Sequence, residues 1–103
     1  MGKEYRVPNI ESKLLKRINA AGLVVLRRSK DVVKLYPKDD VGIQYKRYYS
    51  FHIDFVGSQC DAMNINEYTS SYKRATIWVK PEELQLMLDV KQELTRLLEV
   101  GEF

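Results

Sequence analysis

Apolar and polar residues alternate along residues 42–56, the longest regular pattern in the chain. The odd positions from Ile43 to Phe55 are apolar apart from Arg47, and nearly all of the even positions are polar. A period of two is typical of a β-strand with one buried and one exposed face. The pattern therefore predicts a strand over about 43–56, far longer than the usual five or six residues.

Arg47 is the weak point of this assignment, because it places a charge in the buried register. Either Arg47 lies near an open edge of the sheet, or a β-bulge shifts the alternation partway along the strand. With such a bulge, Lys46 and Tyr48 would leave the exposed face, and Arg47 and Tyr49 would replace them.

A first helix is predicted over 9–21 by an apolar stripe with helical spacing. The stripe consists of Ile10, Leu14, Ile18 and Ala21. Asn9 is a suitable N-cap, and Gly22 can take the left-handed conformation that ends a helix. Residues 1–8 are predicted to form a flexible lead.

Antiparallel strands are predicted between 23 and 80. Two short β-branched runs, at 23–26 and 32–36, precede the long strand, and the alternating segment Tyr72–Lys80 follows it. Residues 57–71 are mostly polar and predict a long loop, with a short strand near 62–66 or an irregular edge strand as alternatives.

A second helix is predicted over 81–100, from the acidic start Pro81-Glu82-Glu83 to the stop at Gly101. Its apolar surface is wider than a sheet alone would cover, so it should contact the first helix or a second copy of the chain. The sequence predicts a homodimer through residues with coiled-coil spacing. These residues are Met87, Val90, Leu94 and Leu97.

Taken together, the elements predict a single α+β domain over 1–103, a two-layer sandwich. Three to four antiparallel strands, one of them very long, form a meander, and the N-terminal and C-terminal helices cover one face.

Composition favours a cytoplasmic protein. There is one cysteine, Cys60, and no apolar run long enough for a membrane span. The net charge of +3 hides an uneven distribution, since residues 1–80 carry 15 Lys/Arg against 8 Asp/Glu, and residues 81–103 carry 2 against 6. The basic part suits a polyanionic partner.

Signatures of an enzyme are weak. One histidine, His52, and one cysteine cannot form a usual zinc site, and the five glycines are isolated rather than grouped in a phosphate loop. No metal or cofactor is expected. A metal-dependent nuclease using Asp54 and nearby acids is the weakest of three hypotheses.

The leading hypothesis is a non-catalytic protein that binds single-stranded DNA or RNA on the face opposite the helices. Cationic side chains would bind phosphates, and aromatic rings would stack on unpaired bases. The predicted phosphate contacts are Lys34, Lys46, Arg74 and Lys80, and the predicted stacking residues are Tyr48, Tyr72 and Trp78. The alternative is a protein interaction or assembly module that uses the same aromatic face.

Overall fold

The computed structural model describes residues 5–38, 46–68 and 81–103, and at 46, 47, 62 and 64–68 it describes the backbone alone. The elements are α1 (Ser12–Ala20), β1 (Leu23–Ser29), β2 (Val32–Pro37), β3 (Lys46–Asp54), β4 (Gln59–Tyr68) and α2 (Pro81–Glu99). This arrangement confirms the predicted α+β fold. The predicted strand at 72–80 and residues 43–45 of the predicted long strand lie outside the described residues.

The sheet is an antiparallel meander in the order β1-β2-β3-β4. Tyr49, Phe51 and Ile53 of β3 lie on its inner face, where they join a core that includes Ile18 of α1 and Val90 of α2. Both helices therefore cover the same face of the sheet, as the alternation predicted.

The alternation along β3 is not broken near Arg47. Residues 46–52 pair without interruption with residues 68–62 of β4, and the register shifts only between His52 and Ile53. The extra residue at this bulge is Asp61, on β4. Tyr49 is 3% exposed in the core, so the alternative register, in which Tyr49 faces outward, is wrong.

Strand β4 occupies residues 59–68, so the predicted loop at 57–71 is wrong there, and the alternative, an irregular edge strand, is confirmed within the sheet that the structure describes. The long strand ends at Asp54 because residues 55–58 form a turn, in which an Asp54 carboxylate oxygen accepts the Gly57 N–H at 2.9 Å. Pairing along nearly the whole of β3 keeps β4 extended despite its polar composition, because strand preference depends on neighbouring strands more than on the residue itself.

Helix α1 begins at Ser12, three residues later than predicted, and its N-cap is Glu11 rather than Asn9. The Glu11 carboxylate accepts the backbone N–H groups of Lys13 and Leu14, at 3.0 and 3.3 Å. These bonds satisfy two of the amides that every helix start leaves without a partner.

Residues 5–8, which belong to the predicted flexible lead, lie against the domain. Pro8 is buried, and the Arg6 guanidinium donates to the backbone carbonyl of Phe103 at 3.0 Å. The Arg6 carbonyl in turn accepts a hydrogen bond from Arg27 at 2.8 Å. Both contacts connect the start of the described chain to its end and to β1.

Helix α2 matches its predicted bounds closely and ends at Glu99. Gly101 follows it, and its φ of +73° is the left-handed conformation that favours glycine after a helix. The four residues predicted to form a dimer contact are at most 2% exposed, because they fill the core of a single chain. They are Met87, Val90, Leu94 and Leu97, and this burial leaves their side chains almost no exposed surface for the predicted dimer contact. The homodimer itself stays a prediction. Neither described helix has the length and apolar content to cross a membrane.

Candidate nucleic-acid interface

The outer face of the sheet, opposite the helices, carries the even-numbered residues of β2 and β3. Lys34 pairs with Ser50, and Val32 pairs with His52. Lys34 is exposed, as predicted, whereas Ser50 is 7% exposed and Tyr48 is 5% exposed. The outward side chains of β3 are therefore more buried than the alternation alone predicts.

Tyr48 is buried and contacts two side chains of β2. The Tyr36 ring lies at a tilt of 37° with its centroid 5.4 Å from that of Tyr48. The Lys34 ammonium also lies 5.4 Å from the centre of the Tyr48 ring, within the range of a cation–π contact. The predicted exposure of Tyr48 for base stacking is therefore wrong, and the ring supports Lys34 and Tyr36 from below.

A cavity of about 420 Å³ opens on the outer face between β1 and β2. We refer to it as the outer-face cavity, and its described lining residues are Val24, Leu26, Arg28, Lys34, Tyr36, Pro37 and Lys38. Val24, Leu26, Tyr36 and Pro37 are partly buried, whereas the three cationic residues are exposed. The cavity thus combines an apolar, aromatic floor with a cationic rim.

The charged residues that the structure describes around the outer-face cavity all have the same sign. Arg28, Lys34 and Lys38 line it, and no carboxylate is among its described lining residues. Within the described ranges, none of the three cations forms an ion pair with an acidic side chain. Their charges reinforce one another in a concave surface and would attract an anion from solution.

Strand geometry explains why these cations meet. Lys34, Tyr36 and Lys38 are two residues apart along β2 and its continuation, so they lie on the same face. The backbone N–H of Lys38 donates to the Gly22 carbonyl at 2.8 Å, which extends the ladder beyond β2. Leu26 pairs with Lys34, and a β-bulge follows on β1 between Leu26 and Ser29. Arg28 lies within this bulge and lines the outer-face cavity.

The structure brings only one residue of the predicted binding site into the outer-face cavity, Lys34. The side chain of Lys46 and the whole of Tyr72, Arg74, Trp78 and Lys80 lie outside the described residues. Arg28 and Lys38 were not among the predicted contacts, because both lie just outside the predicted strands at 23–26 and 32–36. The signal for Lys38 was present, since it continues the same-face series of Lys34 and Tyr36.

A second cavity, of about 620 Å³, lies between α1 and α2 and has a different character. Its charges are largely paired: Arg17 of α1 bonds Asp89 of α2 at 2.7 Å, and within α2 Arg96 bonds Glu93 at 2.6 Å. The hydrogen bond from Arg17 lowers the pKa of the Asp89 carboxyl below its ordinary value, with a further contribution from Gln85. These neutralised charges suit a polyanion less well than those of the outer-face cavity.

No three His, Cys, Asp or Glu side chains in the described part of the chain lie together as a metal site. The full sequence matches no protein-family model, no curated protein and no solved structure.

Proposed function

We infer that this protein is non-catalytic and binds single-stranded DNA or RNA at the outer-face cavity. The observation that carries the proposal is the combination of Tyr36 with Arg28, Lys34 and Lys38 around one cavity that has no described acidic lining residue. Cations neutralise phosphates and release their counterions, which gives affinity without sequence preference.

The aromatic floor favours a single strand over a duplex. A ring can stack on a base only when that base is not already stacked within a duplex, and such stacking contributes about 1–3 kcal/mol per base. Tyr36 lines the cavity and is held from below by Tyr48. Exposed sheet faces with aromatic residues are a recurrent platform for unpaired bases.

The alternative, a protein partner on the same face, receives less support. Protein interfaces are depleted in lysine relative to the rest of the surface. Two of the three cations at the outer-face cavity are lysines, Lys34 and Lys38, and both are exposed. Their long side chains lose much conformational freedom when a protein surface covers them, whereas a phosphate can be contacted from solvent.

The test is fluorescence anisotropy with labelled oligo-dT, oligo-U and a duplex of equal length, measured over a series of salt concentrations. The proposal predicts binding to the single strands that weakens with salt, with a log–log slope of about 2 for three phosphate contacts. The duplex is expected to bind more weakly than the single strands at every salt concentration.

Matched double variants locate the binding surface. Lys34→Gln/Lys38→Gln removes two charges from the outer-face cavity, and Lys13→Gln/Lys16→Gln removes two exposed charges from α1. We expect the first variant to lose roughly tenfold or more in affinity and to reduce the salt slope by about 1.4, while the second changes little. Absence of salt-dependent binding by the wild type, or equal losses in both variants, would refute the proposal.

A further inference from the structure

We propose that the outer-face cavity binds one internal nucleotide of a single strand, with the base against Tyr36 and a phosphate at each end. We refer to it as the single-nucleotide site. The inference rests on the proposed function and adds the minimal ligand, a nucleoside 3′,5′-bisphosphate. A nucleotide inside a strand carries one phosphate on the 5′ side of its sugar and another on the 3′ side. A binding site for such a nucleotide needs an aromatic ring for the base between two cationic groups for the phosphates.

The order of residues along β2 supplies this arrangement. Lys34, Tyr36 and Lys38 follow at intervals of two residues, which places consecutive Cα atoms of the series about 6–7 Å apart. The ring therefore lies between two cations on one face of the strand, and all three residues line the outer-face cavity. A single strand would run along β2 rather than across the sheet.

The two ends of the cavity differ in the cationic groups that they offer to a phosphate. Arg28 of β1 lies at the Lys34 end of the cavity, because Leu26 pairs with Lys34 and Ser29 pairs with Val32. This end offers a planar guanidinium, which can bind a phosphate through two parallel hydrogen bonds. Lys38 alone represents the opposite end among the described lining residues. The ligand chemistry is thus a heterocycle with a phosphate group on either side, and the Arg28 end should bind its phosphate more tightly.

The size of the cavity agrees with one unit. Its volume of about 420 Å³ falls near the lower end of the range of roughly 300–1,000 Å³ for small-ligand sites. Half-buried Val24 and Leu26 form the apolar part of the floor beside the ring. A second base would have no described aromatic platform inside this cavity.

The experiment compares uridine, its 5′-monophosphate, its 3′-monophosphate and its 3′,5′-bisphosphate by amide chemical-shift titration of the full chain. We expect the bisphosphate to bind about tenfold more tightly than either monophosphate, and uridine to bind most weakly. Shifts should concentrate at Val24, Leu26 and Tyr36. Inorganic pyrophosphate, which has no base, should bind more weakly than the bisphosphate.

Two single variants separate the ends. Lys38→Gln should reduce the affinity for the bisphosphate to that of one monophosphate, and Arg28→Gln should reduce it to that of the other. Tyr36→Phe should preserve the graded series, while Tyr36→Leu should weaken all ligands that carry a base, since only the aromatic ring can stack. A folded Tyr36→Leu protein with unchanged affinities for these ligands would refute the single-nucleotide site.

The outcomes distinguish the two proposals. Equal affinity for the mono- and bisphosphates would refute the single-nucleotide site. If oligonucleotide binding still depended on Lys34 and Lys38, the proposed function would remain supported. Absence of oligonucleotide binding would refute both.

Discussion

The guanidinium carbon of Arg27 lies 4.7 Å from the centroid of the Phe103 ring. Tyr5 and Phe55 also face this guanidinium, at 5.5 and 5.9 Å, so that three aromatic rings surround one cation. The Phe103 ring further contacts Phe55 edge-on, with centroids 5.6 Å apart. This aromatic cluster connects the first strand to the β3–β4 turn and to both ends of the described chain.

Replacing Arg27 with lysine should destabilise the fold by about 1–2 kcal/mol. Lysine keeps the charge but cannot bond the carbonyls of Arg6 and Lys30 together, as the guanidinium does at 2.8 Å each. Urea denaturation measures the loss. The control is Arg28→Lys, one residue along, which is exposed at the outer-face cavity and should leave the midpoint nearly unchanged. Equal midpoints for the two variants would contradict a structural role for Arg27.

Glu93→Gln should destabilise the protein at neutral pH by roughly 1–2 kcal/mol. Glu93 is buried, accepts the Glu11 backbone N–H at 2.7 Å and binds Arg96 at 2.6 and 3.1 Å. The hydrogen bond from Arg96, assisted by that from Glu11, lowers the pKa of this carboxyl against the opposing effect of burial.

This lowered pKa gives the effect a pH dependence. A carboxyl whose pKa is lower in the folded state stabilises the fold above its ordinary pKa, about 4.3, and loses that contribution as pH falls through the folded value. The gap between wild type and Glu93→Gln should therefore shrink below about pH 4. Urea midpoints at several pH values measure it, with exposed Glu99→Gln as control. A gap that stays constant with pH would contradict the linkage.

Much of the fold followed from local periodicity. The stripe from Ile10 to Ile18 and the alternation through Tyr49 and Phe51 identified core residues correctly. These signals are strong because each inward side chain is determined by the repeat of its own element.

The remainder depended on contacts between distant residues. Strand β4 is polar and is held by its pairing with β3, and the bulge at Asp61 disrupts its alternation further. Leu94 and Leu97 have coiled-coil spacing, yet the same spacing serves a helix that packs on its own sheet. Tyr48 lies on the outer face, yet it is buried and contacts the side chains of Lys34 and Tyr36, and periodicity does not specify such contacts.

Gly57→Ala should destabilise the β3–β4 turn by about 1 kcal/mol. An added Cβ would displace the Asp54 carboxylate and so break the hydrogen bond that it accepts from the Gly57 N–H at 2.9 Å. A double-mutant cycle in urea isolates this effect. In an Asp54→Ala background the carboxylate is absent, so the added cost of Gly57→Ala should fall toward zero. Equal costs in both backgrounds would contradict the steric explanation.

Leu94→Ala should destabilise the protein by about 2–5 kcal/mol, whereas Leu88→Ala should cost less than about 1 kcal/mol. Leu94 is fully buried in the core of one chain, and Leu88, on the same helix, is 42% exposed. The measurement is urea denaturation at low and high protein concentration. If these core contacts lie within one chain, the Leu94→Ala midpoint is low and independent of concentration. Stability depends on protein concentration only when unfolding separates two chains. A midpoint that rises with concentration in the wild type and not in Leu94→Ala would therefore place Leu94 at an interface between two copies.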